Sequence, residues 1–399
     1  MQPPKLLQYV KICSLYGAGF YYIPGTDTCL KVGGFVRAEM NFNAGNSFSV
    51  HTGDHSSRAY DFEQSRARFV ASFDARSQTE YGTLRSYFNL GMQASNGGGG
   101  SGIDTYANRG FIQWAGFTAG LADSFFDFYV TPAYSNQTNW LASDVGGGGT
   151  LVFGYTAQFG NGMSATLAAE DTSDRRKAII GDVYAGRQWP DIVGNLRIDQ
   201  AWGSAQIMGA LHQVRGFTRG DEVGWAAGAG LKVNLPWGHG DNVSMQAAYA
   251  KGALSYSMAL TGRAGGVNVS ENGTDFGYMN LDDAVNTGTS LELTESWSVV
   301  AGLMHHWNPE WNTSLYGGYG EVNFNGASAA ALGLGSPDWN FGQIASRTAW
   351  TPVKNLTFSV DLIYNHVGSA SNNQGTFEAN ASDVNWFAGM FRVQRNFWP

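Results

Sequence analysis

Alternation of polar and apolar side chains along residues 63–76 constrains the fold of this chain more than any other feature. Charged and polar residues occupy one parity of the segment, with Val70 as the exception, and Ala or Phe occupies the other parity from Ala67 to Ala75. A period of two is typical of a β-strand that has one wet face and one apolar face. The same alternation returns at 81–90 and at 356–366, so strands are predicted near both ends of the chain.

The connections between the predicted strands alternate between long and short. Strands are predicted near residues 30–42, 63–76, 81–93, 108–117, 119–129, 149–159, 163–171, 191–202, 204–214, 223–235, 243–256, 297–307, 311–323, 339–350, 356–367 and 384–397. Strict alternation of long loops with short turns is what an even-stranded antiparallel barrel requires when both termini lie at the short-turn rim. The chain is therefore predicted to be all-β, a 16-stranded antiparallel transmembrane β-barrel.

The composition agrees with a barrel that crosses a membrane. No stretch approaches the roughly 18 consecutive apolar residues of a transmembrane helix. A barrel needs apolar side chains only at alternate positions, so a mean hydropathy of -0.22 is compatible with lipid on one face. Tryptophans flank predicted short turns, as an interfacial aromatic girdle requires, although apolar strand ends would also place them there. These are Trp202, Trp237, Trp307, Trp311 and Trp350.

The region before the first predicted strand contains both cysteines, Cys13 and Cys29. In an oxidising periplasm they could close a loop of about 16 residues, which predicts a disulfide; two separate buried thiols are the alternative. Residues 1–29 are expected to lie at the periplasmic mouth, and residues 30–399 are expected to form the pore. The N-terminus shows no apolar segment followed by a small-residue cleavage site, so a signal peptide is expected to be absent from this chain.

Several segments resemble the porin family typical of alphaproteobacteria. The most specific is YGAGFYYIPGTDTCLKVGGFVRAE at 16–39, and further matches lie at 79–91, 111–120, 124–128 and 305–319. The resemblance implies a homotrimeric, passive porin in the Gram-negative outer membrane, surrounded by lipid and lipopolysaccharide, with its third long loop folded into the barrel lumen. Such porins commonly end in an aromatic residue, whereas here Phe397 is followed by Trp398 and Pro399.

Parity places a set of arginines on the polar face of the first three predicted strands. The set comprises Arg37, Arg66, Arg68 and Arg85. Because these strands are adjacent, we expect one basic patch at the constriction of the lumen, where fixed charges set ion preference. Guanidinium groups suit this position because they stay charged when they are crowded together. The alternative is that some of them pair with Glu39 or Asp74 as salt bridges of the wall.

The opposite charge is expected from the third long loop and the strand that enters it. Asp123 and Asp127 share one parity of 119–129, and Asp144 lies within the loop. Acidic groups opposite a basic wall would create a transverse field across the pore. Alternatively, Asp123 and Asp127 accept hydrogen bonds from backbone N–H groups where the loop bends.

Two pairs of adjacent residues have side chains of the kind that bind metal ions. His305 and His306 have neighbouring parity, which is expected to point their rings to opposite faces and to prevent joint chelation of a metal. Asp282 and Asp283 fall in the longest loop, where a solvated position is expected; a divalent cation that bridges surface lipids is the alternative. The sequence contains no Ser-His-Asp, HEXXH or CXXC arrangement, so we expect no enzymatic activity, cofactor or metal.

These observations predict passive diffusion of ions and small hydrophilic solutes through a water-filled pore. The first alternative is a substrate-specific channel on the same barrel, which would need a ladder of stacked aromatics or a closely packed charge ladder in the lumen; Tyr87, Tyr129 and Tyr316 are too scattered to indicate an aromatic ladder. The second alternative is a soluble β-rich binding protein, which would dissolve without detergent. A net charge of -8 and the absence of a polybasic run argue against a nucleic-acid partner.

Overall fold

Antiparallel strands close into one barrel in the part of the chain that the computed structural model describes. That part comprises residues 11–43, 62–96, 102–128, 141, 143, 149–238, 240–258, 266–271, 274–280, 282–333, 337–368 and 384–397. Its sixteen barrel strands are β1 (Cys29–Phe42), β2 (Glu63–Thr79), β3 (Gly82–Ser95), β4 (Gly102–Trp114), β5 (Phe117–Ala122), β6 (Thr150–Gly160), β7 (Met163–Glu170), β8 (Asp191–Gln200), β9 (Gly203–Arg215), β10 (Asp221–Asn234), β11 (Asn242–Lys251), β12 (Glu295–His306), β13 (Trp311–Asn323), β14 (Trp339–Val353), β15 (Leu356–Gly368) and β16 (Val384–Asn396). Each strand pairs with its neighbour in the chain, and β16 closes on β1 through pairs such as Arg37 with Gln394. The predicted fold class and strand number are confirmed.

Apolar side chains cover the outside of the barrel and polar ones line much of the inside. Phe153, Leu167 and Leu362 lie on the outer face and are 67%, 65% and 64% exposed. Gln206 and Asp361 lie on the inner face and are buried. This alternation is the pattern of a strand with lipid on one side and a lumen on the other. Among the described residues, no helix has the length and apolarity needed to span a membrane.

The short turns carry the tryptophans that the sequence predicts there. All five of these residues are exposed, and the rings of Trp311 and Trp350 stack with centroids 5.7 Å apart. The turns are tight: Asn161 between β6 and β7 and Asn355 between β14 and β15 both have positive φ, a conformation that Asn tolerates better than most residues. The tryptophans therefore form a band at one rim of the barrel, where an interfacial girdle is expected.

The prediction of a strand at 119–129 is wrong beyond Ala122, where β5 ends. Residues 123–128 leave the wall and pack inside the lumen, with Phe126 and Phe128 buried. The Phe128 ring fills the space over Gly230 of β10, where a Cβ atom would lie 2.3 Å from it. Leu141, further along the same loop, packs against Gly318 of β13. The third long loop therefore folds into the lumen, as the family resemblance implies.

Two further long loops pack with the third. Ile179–Ile180, between β7 and β8, pairs in parallel with Ala284–Asn286, between β11 and β12, which pairs in turn with Leu291–Leu293. A buried 3-10 helix, Leu254–Tyr256, follows β11. These loops and the inner faces of the strands enclose an apolar core that contains Phe126, Val193, Met208, Tyr256, Met258, Val300, Phe341 and Trp386. The core of this protein thus lies inside the barrel and along one part of its wall.

The remaining described elements lie in long connections or before β1. A short helix α1 (Gly326–Leu332) follows β13, and Gly266–Glu271 pairs with Thr274–Asn280 as a hairpin. Ahead of β1, a 3-10 turn at Ser14–Tyr16 and a short strand at Tyr21–Tyr22 pack onto the start of the barrel. The predicted disulfide joins Cys13 to Cys29. That residues 1–29 occupy the periplasmic mouth, separate from a pore formed by 30–399, remains a prediction.

Candidate functional site

Arginines from the first, second and last strands gather around one carboxylate on the lumen face. Glu39 Oε2 lies 2.6 Å from Arg66 Nη2, and Glu39 Oε1 lies 2.6 Å from Arg392 Nη2 and 3.5 Å from Arg37 Nη1. Arg68 lies directly opposite Arg37 in the pairing of β1 with β2. We call Arg37, Arg66, Arg68 and Arg392, with Glu39, the basic cluster. Three of these guanidinium groups lie within 4 Å of Glu39 and the fourth, Arg68, stands beside them, so the cluster as defined contains four positive charges and one negative charge.

Neutral side chains hold two of these arginines in place. Arg37 Nε donates to Gln394 Oε1 at 2.7 Å, and Arg68 Nε donates to Gln93 Oε1 at 3.0 Å. A hydrogen bond to a neutral amide orients the guanidinium without cancelling its charge. Of the predicted alternatives, wall salt bridges therefore describe Arg66 well, whereas Arg68 bonds to an amide.

The predicted patch of four arginines is divided in two, because Arg85 lies apart from the others. Arg85 is eight residues from Gln93 along β3, about 26 Å at about 3.3 Å per residue. Its Nη2 lies 3.0 Å from Asp74 Oδ2, which also accepts from Arg76 Nη2 at 2.7 Å. Arg85 thus belongs to a second charged group near the short turns. Parity identified the correct face of the strand, but it does not fix the height along the barrel axis.

The predicted acidic residues have arginine partners of their own. Asp123 pairs with Arg109 of β4. Asp127 Oδ1 lies 2.8 Å from Arg175 Nη2 and accepts a hydrogen bond from Ser143 Oγ at 2.5 Å. Because both carboxylates lie in the third loop, they join that loop to the wall and to the loop before β8. Asp144 lies outside the described residues, so an acidic face opposite the basic cluster stays a prediction.

A buried polar group, which we call the anchoring cluster, fastens two lumen loops, the β7–β8 and β11–β12 connections, to β8 and β9. Both carboxylate oxygens of Asp191 lie 2.9 Å from His212 Nδ1, and Asp191 also accepts from Tyr256 Oη at 2.7 Å. On the other side of the ring, Asp283 Oδ2 lies 3.7 Å from His212 Nε2 and accepts from Tyr184 Oη at 2.8 Å. Because the strands and loops bond to the same carboxylates, neither of these loops can move freely.

Asp282 and Asp283 are buried, which corrects the expectation that they are solvated. Asp283 also accepts from the backbone N–H groups of Lys177 and Leu254 at 2.8 and 3.0 Å. Burial raises the pKa of Asp282 to about 8, and the neighbouring Asp283 adds to this effect. Burial lowers the pKa of Lys177 to about 8, against the opposing attraction of Asp283. The sequence could not show this, because the burial comes from contacts between separate loops.

His305 and His306, predicted to point to opposite faces, both contact the carboxylate of Asp241. His305 Nδ1 lies 2.6 Å from Asp241 Oδ2, and His306 Nδ1 lies 3.3 Å from Asp241 Oδ1. Both residues stand at the last turn-proximal positions of β12, where the carboxylate of the β10–β11 turn reaches between them. Within the described ranges, no group of three or more His, Cys, Asp or Glu is arranged to hold a metal ion. The absence of a metal site stays a prediction.

Sequence reasoning missed Arg392 of the basic cluster and the neighbouring pair of Arg347 with Asp361. Arg347 Nε and Nη2 lie 2.5 and 2.7 Å from the two Asp361 oxygens. The signal was present, because Asp361 falls on the polar parity of its predicted strand. A barrel of this kind must also pair its last strand with its first, which brings Arg392 to Glu39.

A closed antiparallel barrel with an apolar exterior and a charged interior defines a channel of the bacterial outer membrane. The chain belongs to the porin subfamily, because the family model with that description matches residues 2–390. It is similar to porin Omp2b of Brucella canis and to porin Omp2a of Brucella suis, each 26% identical to it; the match covers 99% of this chain and 92% of either relative. The fold is similar to the outer membrane channel DcaP of Acinetobacter baumannii, with a TM-score of 0.71 at 16% identity over 94% of this chain and 99% of that one.

The chain is therefore an outer-membrane porin, a multi-pass β-barrel channel for passive diffusion. Its family and architecture point to a channel rather than an enzyme.

Proposed function

We propose that this porin passes ions and small hydrophilic solutes with a preference for anions, and that the basic cluster sets the preference. The observation that carries the proposal is the ratio of four arginines to one glutamate in the basic cluster. Guanidinium groups stay charged even when they crowd together. Fixed positive charge in a narrow, low-dielectric passage concentrates anions and repels cations.

The two parts of the lumen wall differ in a way that supports a water path beside the basic cluster. The inner faces of β8 to β13 are in large part covered by the loops and by the apolar core, although Arg197 of β8 remains 36% exposed. On β1 to β3, the side chains of Arg37 and Arg85 remain 15% and 28% exposed. Water and solutes need a polar surface with accessible charge, and this part of the described wall provides one beside the basic cluster.

The assembly and surroundings of the channel are part of the same proposal. We infer a homotrimer in which each barrel has its own pore, embedded in outer-membrane lipid and lipopolysaccharide. The family membership and the broad apolar exterior support this arrangement. Neither an enzymatic activity nor a cofactor nor a nucleic-acid partner is part of the proposed function.

Reversal potentials in a planar lipid bilayer test the ion preference directly. Across a tenfold KCl gradient centred near 0.1 M, purified protein should give a potential whose sign shows chloride to be more permeant than potassium. The preference should shrink towards 1 M salt, because the Debye length falls from about 10 Å to about 3 Å. A potential of the opposite sign at low salt would contradict the proposal.

A further inference from the structure

Aromatic side chains occupy the same lumen wall as the arginines, at two heights. At the upper height, Phe35 of β1 and Tyr106 of β4 belong to one cross-strand row with Val70 and Gly91. At the lower height, Tyr87 and Phe111 are cross-strand partners and their rings stack, with centroids 5.3 Å apart and planes inclined by 27°. These four rings are partly exposed, so they form part of the surface that a solute meets.

Each of these rings has a guanidinium group over its face. The Cζ of Arg37 lies 4.6 Å from the ring centroid of Phe35. The Cζ of Arg68 lies 5.6 Å from the centroid of Tyr106. At the lower height, Arg85 contacts two rings. Its Cζ lies 5.2 Å from the Tyr87 centroid and 5.3 Å from the Phe111 centroid. All four distances fall within the range of about 6 Å in which a cation is attracted to an aromatic face.

The backbone is shaped to keep the upper ring against the wall. A Cβ atom on Gly91 would lie 2.2 Å from Cζ of Tyr106, so the ring lies directly over the glycine and any larger residue would displace it. The two heights differ by four residues along β3, from Tyr87 to Gly91, which is about 13 Å at about 3.3 Å per residue. A solute about 13 Å long would contact the second pair of rings before it had lost contact with the first.

Arginine over an exposed ring matches one class of solute in particular. A carboxylate accepts paired hydrogen bonds from a guanidinium group, and a conjugated ring stacks on Tyr or Phe. An aliphatic anion would use only the charge, and a neutral aromatic would use only the ring. We propose that the lumen wall formed by Phe35, Tyr87, Tyr106 and Phe111 with Arg37, Arg68 and Arg85 is a binding track for planar, conjugated carboxylates. The inference rests on the proposed preference for anions and names the solutes within that class that bind best.

Benzoate and cyclohexanecarboxylate form a matched pair of probes, because they carry the same charge at similar size and differ in the planar ring. Their apparent binding constants can be measured from the reduction of single-channel KCl current at neutral pH. Wild-type protein should bind benzoate more tightly than cyclohexanecarboxylate by about fivefold, the factor that corresponds to about 1 kcal/mol for a favourable cation–π or stacking contact. Equal binding of the two probes would overturn the track.

Substitutions of the lumen rings test whether these rings cause the tighter binding of benzoate. Replacing both Tyr87 and Phe111 by Leu should remove most of the benzoate advantage while cyclohexanecarboxylate binding persists, and Tyr87→Phe should retain the advantage. The matched control is Phe73→Leu with Phe88→Leu, since these rings also stack, at 4.7 Å, but lie on the outer face of β2 and β3. If the control removes the advantage as strongly as the lumen pair does, the track is wrong. Failure of the parent proposal is distinguishable, because it shows as a cation-selective reversal potential in KCl alone.

Discussion

Glu39 determines how the charge of the basic cluster is distributed, because it is buried between three arginines and can neutralise only part of their charge. Its closest partners are Arg66 and Arg392, both at 2.6 Å, whereas Arg68 bonds to the amide of Gln93. Removing an arginine from such a group therefore changes the field in the lumen by a full charge. Removing Glu39 would instead leave the arginines to repel one another.

Replacing both Arg66 and Arg68 by Ala should shift the permeability ratio towards cations. A unit charge at 8 Å in water contributes about 0.5 kcal/mol, so two charges should change the chloride-to-potassium ratio about threefold at 0.1 M salt after screening. Reversal potentials measure this ratio. Phe69→Ala, on the outer face of β2, is the control and should leave selectivity unchanged. An unchanged ratio in the double variant would show that ions do not pass beside these arginines.

Gly230→Ala should disturb the third loop, because the added Cβ would lie 2.3 Å from the ring of Phe128. The ring would have to move away from the wall and into the lumen, which should lower single-channel conductance. Gly194→Ala is a matched control, since its Cβ would meet only a backbone oxygen, at an ordinary contact distance of 3.6 Å. Equal conductance of the two variants would contradict this account of the loop.

The sequence predicted individual residues well only where parity decides their position. Arg37, Arg66 and Arg68 alternate with apolar neighbours, so their face of the wall followed from the strand period. Arg392 joins them only through closure of the barrel, and the burial of Asp283 depends on contacts between two separate loops and β9. Neither kind of long-range contact leaves a local pattern in the chain.

At the scale of elements, β5 shows where the strand period misleads. The alternation that predicts a strand continues past Ala122, but there the side chains alternate between more and less buried positions inside the lumen. A segment packed on both sides within a lumen has the same pattern as a segment of the wall. The long and short connections, in contrast, were predicted almost throughout, because they follow from the number of residues available between strands.

The packed loops should be least stable near pH 8. The pKa of Asp282 is raised to about 8, so the neutral carboxyl group stabilises the packed loops. This contribution is fully present below about pH 3.9, the ordinary pKa of Asp, and is lost as the pH rises to about 8. The pKa of Lys177 is lowered to about 8, so its charged ammonium group destabilises the packed loops below that pH. This destabilisation disappears as the pH rises from about 8 to about 10.4, the ordinary pKa of Lys. Hydrogen exchange at residues 177–184 and 282–286, corrected for intrinsic rates, measures loop opening.

The expected increase in opening between pH 5 and pH 8 is at most about tenfold per pH unit, the limit for one proton. Asp282→Asn should flatten this part of the profile, and Lys177→Met should flatten the part above pH 8. Asp221→Asn, at an exposed carboxylate paired with Arg215, should change neither. Constant protection from pH 5 to pH 8 in the unmodified protein would show that Asp282 does not control the packing.

At the scale of the whole molecule, closure of the sheet explains the behaviour expected in detergent. A closed barrel pairs its last strand with its first and so leaves no strand free at the edge of the sheet, which makes such an assembly resistant to denaturants. Purified protein should need detergent and should migrate as a trimer in unheated gel samples and as a monomer after boiling. A detergent-free monomer in gel filtration would contradict the proposed trimer and its membrane setting.

The pairing of β1 with β16, which closes the barrel, also completes the basic cluster. Glu39 stands on the first strand and Arg392 on the last, and they meet only when β16 bonds to β1. The basic cluster therefore lies across the β1–β16 pairing. In a barrel in which β16 has not yet paired with β1, Glu39 lacks Arg392, one of its two closest cations. If the basic cluster selects ions as proposed, its full set of charges is in place only once β16 has paired with β1.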